Sequence, residues 1–173
     1  MFKRWMFIIL IFIGFFLFLL YFSELISSTE EGDILKHPQC KYCQMDRKQF
    51  NFSRMLIVYD DGEEVGTCSL HCASIDLAIN IDKTPVKILV ADYNSKKLID
   101  AERAYWVVGG SLRGVMTKRA KWAFEKKEDA EAFIQKYGGK IATFEEAIRA
   151  SYEDMYEDTK MIRERRKMKR IQK

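Results

Sequence analysis

The hydrophobic pattern divides the chain into one long apolar block and a series of short apolar runs separated by turns. From Trp5 to Phe22 the residues are apolar throughout, interrupted only by Gly14. About 18 such residues reach most of the way across a hydrocarbon core of roughly 30 Å. Lys3 and Arg4 precede the block and Glu24 follows it. That asymmetry puts the N-terminus in the cytoplasm and the body outside it. A cleaved signal peptide is the competing expectation, but Ile26-Ser27-Ser28 is a poor small-x-small site, and no cysteine follows the block to carry a lipid. We expect a transmembrane anchor or signal segment over residues 1–24. A linker follows over residues 25–36, polar from Ser27 to Asp33. Either form of the segment places the body on the extracytoplasmic side of a membrane.

The remaining pattern predicts alternating hairpins and helices. Arg54 to Tyr59 reads as a buried strand, Asp60-Asp61-Gly62-Glu63 as a hairpin turn, and Glu64 to Cys68 as the return strand. Ser69 is a candidate N-cap. Leu70 to Ile81 then places Cys72, Ile75, Ala78 and Ile79 at helical spacing. Pro85 precedes a strand over Val86 to Asp92. A second pass has the same order. Ala104 to Val108 is a strand that ends at Gly109-Gly110, Lys121 to Phe124 is a short strand, and Glu128 to Tyr137 is a helix with Ala130, Phe133, Ile134 and Tyr137 on one face. Gly138-Gly139 stops that helix and Lys140 to Thr143 is the last strand. The class is α+β, with duplicated ββαβ units and antiparallel sheets. A final helix from Phe144 to about Ile162 carries Ile148, Tyr152 and Met155 or Tyr156 as its apolar stripe. We assign 37–148 to the folded body and 149–173 to a basic C-terminal helix and tail.

Charge changes the picture locally. The formal net charge is +4. After Thr159, however, eight cations (Lys160, Arg163, Arg165, Arg166, Lys167, Lys169, Arg170, Lys173) face only Glu164, so the tail is +7 and the rest of the chain −3. A basic body would suggest nucleic acid; a basic tail alone does not, and no nucleic-acid partner is expected. Cations suit the C-terminal end of a helix dipole. The tail is either a solvated helix end or a contact with anionic lipid headgroups.

The cysteines carry the chemistry. All four fall between residues 40 and 72, as Cys40-x-x-Cys43 and Cys68-x-x-x-Cys72. Met45 lies two residues after Cys43, His71 sits inside the second pair, and His37 lies three residues before Cys40, so both histidines of the chain are in this region. Thiolates and thioethers favour Cu(I) or Zn(II) over hard cations. The helix N-terminus after Ser69 favours the thiolate of Cys72. Three readings follow. Disulfides are the ordinary outcome outside the cytoplasm; a structural zinc and a functional soft-metal site are the others. Met116 lies in the glycine-rich loop Gly109 to Met116, where a methionine is either core filling or a mobile soft ligand. No nucleophile–base–acid set, paired-carboxylate set, phosphate loop or dinucleotide fingerprint occurs, so no enzymatic activity is expected. A thiol-disulfide redox role is disfavoured because Cys40-x-x-Cys43 precedes the first strand instead of opening a helix after one.

The sequence resembles the NosL family, accessory proteins of nitrous oxide reductase maturation. The likeness rests on Cys40-Lys41-Tyr42-Cys43-Gln44-Met45, Tyr59-Asp60-Asp61-Gly62 and Thr67-Cys68-Ser69. It extends to the loop Val108 to Met116, Trp122-Ala123-Phe124, Asp129 to Phe133 and Gly138-Gly139-Lys140. It implies a copper chaperone that binds Cu(I) outside the cytoplasm and passes it to a copper enzyme or its maturation machinery, with Cys43, Met45 and Met116 as ligand candidates. It also implies the duplicated ββαβ fold. Typical members are lipoproteins, whereas this chain has an apolar segment. The second cysteine pair with His71 resembles the heavy-metal TRASH pattern. The expected metal donors are therefore Cys40, Cys43, Met45, Cys68, His71, Cys72 and Met116.

Overall fold

A computed structural model describes residues 32–172. The apolar block and most of the expected linker lie outside the described residues. Among the described residues, no helix is long and apolar enough to cross a membrane.

The elements are α1 (Gly32–Lys36), β1 (Met55–Tyr59), β2 (Glu64–Thr67), α2 (Leu70–Ile79), β3 (Pro85–Ala91), β4 (Leu98–Asp100), β5 (Tyr105–Val108), β6 (Lys121–Phe124), α3 (Lys127–Tyr137), β7 (Lys140–Ala142) and α4 (Phe144–Ile171). They build a four-stranded sheet in the order β2-β1-β3-β4 and a three-stranded sheet in the order β6-β5-β7, with every pairing antiparallel. In both sheets the first strand of the unit is flanked by its hairpin partner and by the strand that follows the helix. The sheets meet where Asp92 bridges Ala123 and the Tyr93 N–H donates to the Ala123 carbonyl at 2.8 Å.

β1 forms because Met55 to Tyr59 is apolar on both faces and almost wholly buried. Its hairpin closes as expected. Gly62 adopts φ +83, and the Asp61 carboxylate accepts the Glu63 N–H at 2.9 Å. β4 has no counterpart in the expected elements. It is three residues long with no alternation, and it exists because the Asp92 carboxylate accepts the Ser95 N–H at 2.6 Å and turns the chain back onto β3.

Three expectations change. Residues 32–36, read as linker, form a helical turn held to the body: Ile34 is buried, and the Asp33 carboxylate takes hydrogen bonds from Arg47 at 2.7 Å and Arg54 at 3.0 Å. α2 does not present Ile75, Ala78 and Ile79 as its core stripe. It buries Leu70, Cys72, Ala73, Ser74 and Asp76 and leaves Ile79 63% exposed. The helix has cover on two sides, β1 and β2 on one and α4 on the other, and the Tyr152 hydroxyl donates to the Ser74 carbonyl at 3.1 Å. It stops at Asn80, whose backbone and side-chain N–H groups both donate to the Asp76 carbonyl. α4 runs nine residues past Ile162 and buries Phe144, Ala147, Ala150 and Ser151, leaving Tyr152 and Tyr156 exposed. Small residues line that face because α4 crosses close to α2. The start of α4 is fixed by a reciprocal cap, in which Thr143 Oγ1 accepts the Glu146 N–H at 3.3 Å and the Glu146 carboxylate accepts the Thr143 N–H at 2.8 Å.

Two apolar clusters result. One joins Met55, Ile57, Tyr59, Leu70, Trp106 and Phe144. The other surrounds Cys40, Cys68 and Cys72 with Val107, Trp122, Phe124 and Phe133. The cysteines therefore lie where the first unit meets the second.

Candidate metal centre

The first cysteine pair is shaped by a tight chain reversal. The Cys40 N–H donates to the Met45 carbonyl at 2.9 Å, and the Gln44 N–H donates to the Cys40 carbonyl at 3.1 Å. Gln44 closes the turn at φ +61, a left-handed conformation uncommon for a residue with a Cβ. This knuckle is stitched to β2 by the Lys41 N–H on the Gly66 carbonyl at 3.1 Å. Only glycine fits at position 66, since a Cβ there would lie 2.6 Å from His37 Cβ and 2.8 Å from the Arg47 guanidinium.

The second pair comes from the end of β2 and the start of α2. Ser53 Oγ donates to the Cys68 carbonyl at 2.8 Å, and Arg47 Nε donates to the adjacent Thr67 carbonyl at 3.1 Å. Arg47 is fully buried and spends its other donors on the carbonyls of Asp33, His37 and Met55 and on the Asp33 carboxylate. One guanidinium thus braces the segment before the knuckle and the strand that carries Cys68.

The result is a convergence of sulfur. The Sγ atoms of Cys40, Cys43, Cys68 and Cys72 all lie within 4.8 Å of one another. Cys43 and Cys68 are 3.4 Å apart, and Cys68 and Cys72 are 3.8 Å apart. Four sulfurs around an ion at about 2.3 Å have edges of roughly 3.8 Å. All four are free thiols, so the disulfide reading does not describe this structure. Cys40, Cys68 and Cys72 are buried and Cys43 is half-buried. Hydrogen bonds from Cys68 and Cys72, helped by the Cys43 and Tyr42 backbone N–H groups, outweigh burial and hold the Cys40 thiol far below its ordinary range. The hydrogen bond to Cys40 raises Cys68, and Cys72 is raised by Cys40, Cys68 and burial. One thiolate is therefore readily formed, and an incoming ion must displace the remaining protons.

A buried carboxylate ties the two halves of the centre together. Tyr42, inside the knuckle, donates its hydroxyl to Asp76 Oδ1, and Tyr59 on β1 donates to Oδ2 at 2.5 Å. Asp76 is fully buried and sits one helical turn beyond Cys72. Burial, then the Asp76 carboxylate, pushes both tyrosine hydroxyls well above the usual range. Asp76→Ala takes the acceptor from the buried Tyr59 hydroxyl and the half-buried Tyr42 hydroxyl, and we expect about 2–4 kcal/mol lost in urea unfolding. Tyr42→Phe, which leaves Tyr59 paired with Asp76, should cost only about 1 kcal/mol. Sequence reasoning missed Asp76, Tyr42, Arg47 and Asp33. The one local signal was an acid in the middle of an otherwise apolar helix.

The other expected donors are Met45, Met116 and His71. Met45 is half-buried against the apolar cluster that contains the cysteines. Met116 is 43% exposed at φ +62, next to Val115, whose carbonyl accepts from Ser69 Oγ at 3.4 Å. Its loop therefore passes over the start of α2. His71 lies outside the four-sulfur group. Its Nδ1 is buried with no hydrogen-bond partner, and burial together with Lys121 lowers its pKa. His37 contacts Glu64 at 3.3 Å and is not part of the set.

These features can be set beside known proteins. The NosL family model matches residues 32–152. The HTH-type transcriptional repressor CutR of Bacillus subtilis (strain 168) is 27% identical over 121 residues, which are 70% of this chain and 60% of that protein. The copper-binding lipoprotein NosL of Stutzerimonas stutzeri is 43% identical over 53 residues, 31% of this chain and 27% of that one. The chain thus spans less than two thirds of the length of both relatives. The crystal structure of the copper chaperone NosL from Shewanella denitrificans superposes with a TM-score of 0.51 at 26% identity, covering 62% of this chain and 87% of that one. With the family match extending over α1 to the middle of α4, and a solved member sharing the arrangement of sheets and helices, the chain belongs to the NosL family.

Proposed function

We propose that this protein is an extracytoplasmic Cu(I) metallochaperone, held at a membrane by residues 5–22, that delivers copper to a copper enzyme such as nitrous oxide reductase and performs no covalent catalysis. The observation that carries the reading is the convergence of four free cysteine sulfurs within 4.8 Å, three buried and one half-buried. Family membership and the copper-related names of two relatives support it. In this reading Cys40, Cys68 and Cys72 grip the ion and Cys43 forms the accessible side. Met45 and the Met116 loop supply thioethers during exchange, while His71, outside the four-sulfur group, takes no direct part in holding the ion. Thioethers discriminate against zinc. Transfer proceeds by ligand exchange with the recipient, without release of the ion into water.

The experiment is elemental analysis of the purified full chain, followed by incubation of the Cu(I)-loaded form with a copper-free recipient enzyme. Copper bound at near one equivalent, and activity restored in the recipient, is the expected result. A second reading, a structural zinc that stiffens a protein-interaction domain, is favoured by the burial of three of the four thiols. Zinc at one equivalent that buffered Cu(I) fails to displace would select it.

Met116 provides a separable test. Its left-handed backbone carries strain that glycine does not. Met116→Gly should raise thermal stability by up to about 1 kcal/mol while slowing copper transfer. Stability and transfer falling together would remove Met116 from the exchange path.

A further inference from the structure

The second half of α4 has no role in the sulfur centre, and it is the most highly charged surface of the described chain. From Ile162 to Gln172 every residue is exposed, so this stretch projects beyond the folded body. Between residues 160 and 172, seven cations (Lys160, Arg163, Arg165, Arg166, Lys167, Lys169, Arg170) face only Glu164, a net charge of +6. None of the seven makes an ion pair among the described residues. An unpacked helix of a dozen residues is marginal in water, and like charges along it weaken it further. The segment is built to be completed by something negative.

Its faces indicate what that is. Lys160, Arg163, Lys167 and Arg170 follow one another at i, i+3, i+7 and i+10 and share one side. At 3.6 residues per turn, Met161, Met168 and Ile171 fall within an arc of about 80° between that stripe and Arg165, an arc that also holds Glu164, the one acid of the segment. Met168 and Ile171 are 57% and 69% exposed. Apolar side chains flanked by Lys and Arg suit the boundary of headgroups and acyl chains, where the cations meet lipid phosphates. Binding to nucleic-acid phosphates uses the cations but has no need of the apolar arc. The ten residue steps from Phe22 to Gly32 extend at most about 36 Å, and Met161 to Ile171 rises about 15 Å. If residues 5–22 hold the chain at a bilayer, as proposed above, the basic helix is kept at high local concentration beside it.

We propose that residues 160–172 of α4 dock on the surface of an anionic phospholipid bilayer, as a second attachment that orients the sulfur centre relative to the membrane. The orienting role rests on the anchor reading; the docking itself does not. The test is amide hydrogen exchange of the full chain in vesicles of phosphatidylcholine alone and of phosphatidylcholine with about a third phosphatidylglycerol. We expect exchange in residues 160–172 to slow at least about tenfold in the anionic vesicles only. The protection should vanish in high salt and in the Lys160→Glu, Arg163→Glu, Lys167→Glu, Arg170→Glu variant. Equal exchange in the two vesicle types overturns the proposal, as does protection by added duplex DNA without protection by phosphatidylglycerol. Alkaline carbonate extraction of the same samples reads the anchor separately. A chain that is extracted yet still shows protection dependent on phosphatidylglycerol removes the anchor and supports the docking.

Discussion

Replacing Cys68 with serine should weaken Cu(I) binding by roughly a hundred- to thousandfold, more than any other single substitution outside the four cysteines. The sulfur of Cys68 lies between Cys43 at 3.4 Å and Cys72 at 3.8 Å. It also follows the strand end that Arg47 and Ser53 clamp through the Thr67 and Cys68 carbonyls, so its backbone is held in place. Structural zinc sites in small peptides bind with about 10–16 kcal/mol in all, and on that scale one of four equivalent donors carries about 2.5–4 kcal/mol. Serine keeps the size of the side chain but offers a hard oxygen to a soft ion. Competition against a Cu(I)-specific chelator under reducing conditions measures the change. Loss of affinity without loss of folding, read by urea denaturation, is the expected pair of results. An affinity within a factor of a few of the wild type places the ion elsewhere.

The second large effect is on stability. Asp33→Ala removes a carboxylate shared by Arg47 and Arg54, both of which are essentially fully buried. Breaking a buried ion pair from one side leaves uncompensated charge in the interior and costs about 3–5 kcal/mol. The site should feel it too, since Arg47 holds the Thr67 carbonyl and hence the approach of Cys68 to Cys43. A carboxylate in this position also gives the protein a definite response to acid. Burial alone would raise the Asp33 carboxyl, but the hydrogen bonds and charges of Arg54 and Arg47 overcome it and hold the group below the ordinary carboxylate range. The unfolded chain therefore binds a proton at higher pH than the folded one. The stabilisation is complete above about pH 4 and is lost as pH falls through the depressed folded value. Urea midpoints of wild type and Asp33→Ala should differ most at neutral pH and converge in acid. A constant difference down to strongly acid pH would assign the effect to something other than the charge.

Much of the site was legible because soft-ligand chemistry concentrates in sequence. The spacing of Cys40, Cys43, Cys68 and Cys72 admits a shared sulfur centre beside the disulfide reading, and the fold brings the four sulfurs within 4.8 Å; β1, β2 and the start of α2 at Leu70 follow from apolar runs and a clear turn. What escaped was long-range polar pairing. Nothing local marks Asp33 as a partner of Arg47 and Arg54, which lie 14 and 21 residues away. The buried face of α2 departs from the apolar periodicity for the same reason. Periodicity assumes one buried face of apolar side chains, but this helix has cover on two sides and buries Asp76 because two tyrosine hydroxyls and the Lys41 ammonium at 3.5 Å satisfy it. β4 is too short for any pattern to register. α4 continues past Ile162 without a sequence signal of burial, because its distal half is dense in Lys and Arg and buries no side chain against the body.

X-ray absorption at the copper edge, on the reduced full chain loaded with one equivalent of Cu(I), reads the coordination directly. The four-cysteine pocket requires a shell of three or four sulfur scatterers at about 2.2–2.3 Å, with nitrogen or oxygen absent or in the minority. A shell dominated by nitrogen or oxygen, or an identical spectrum from a chain in which all four cysteines are serine, would contradict it.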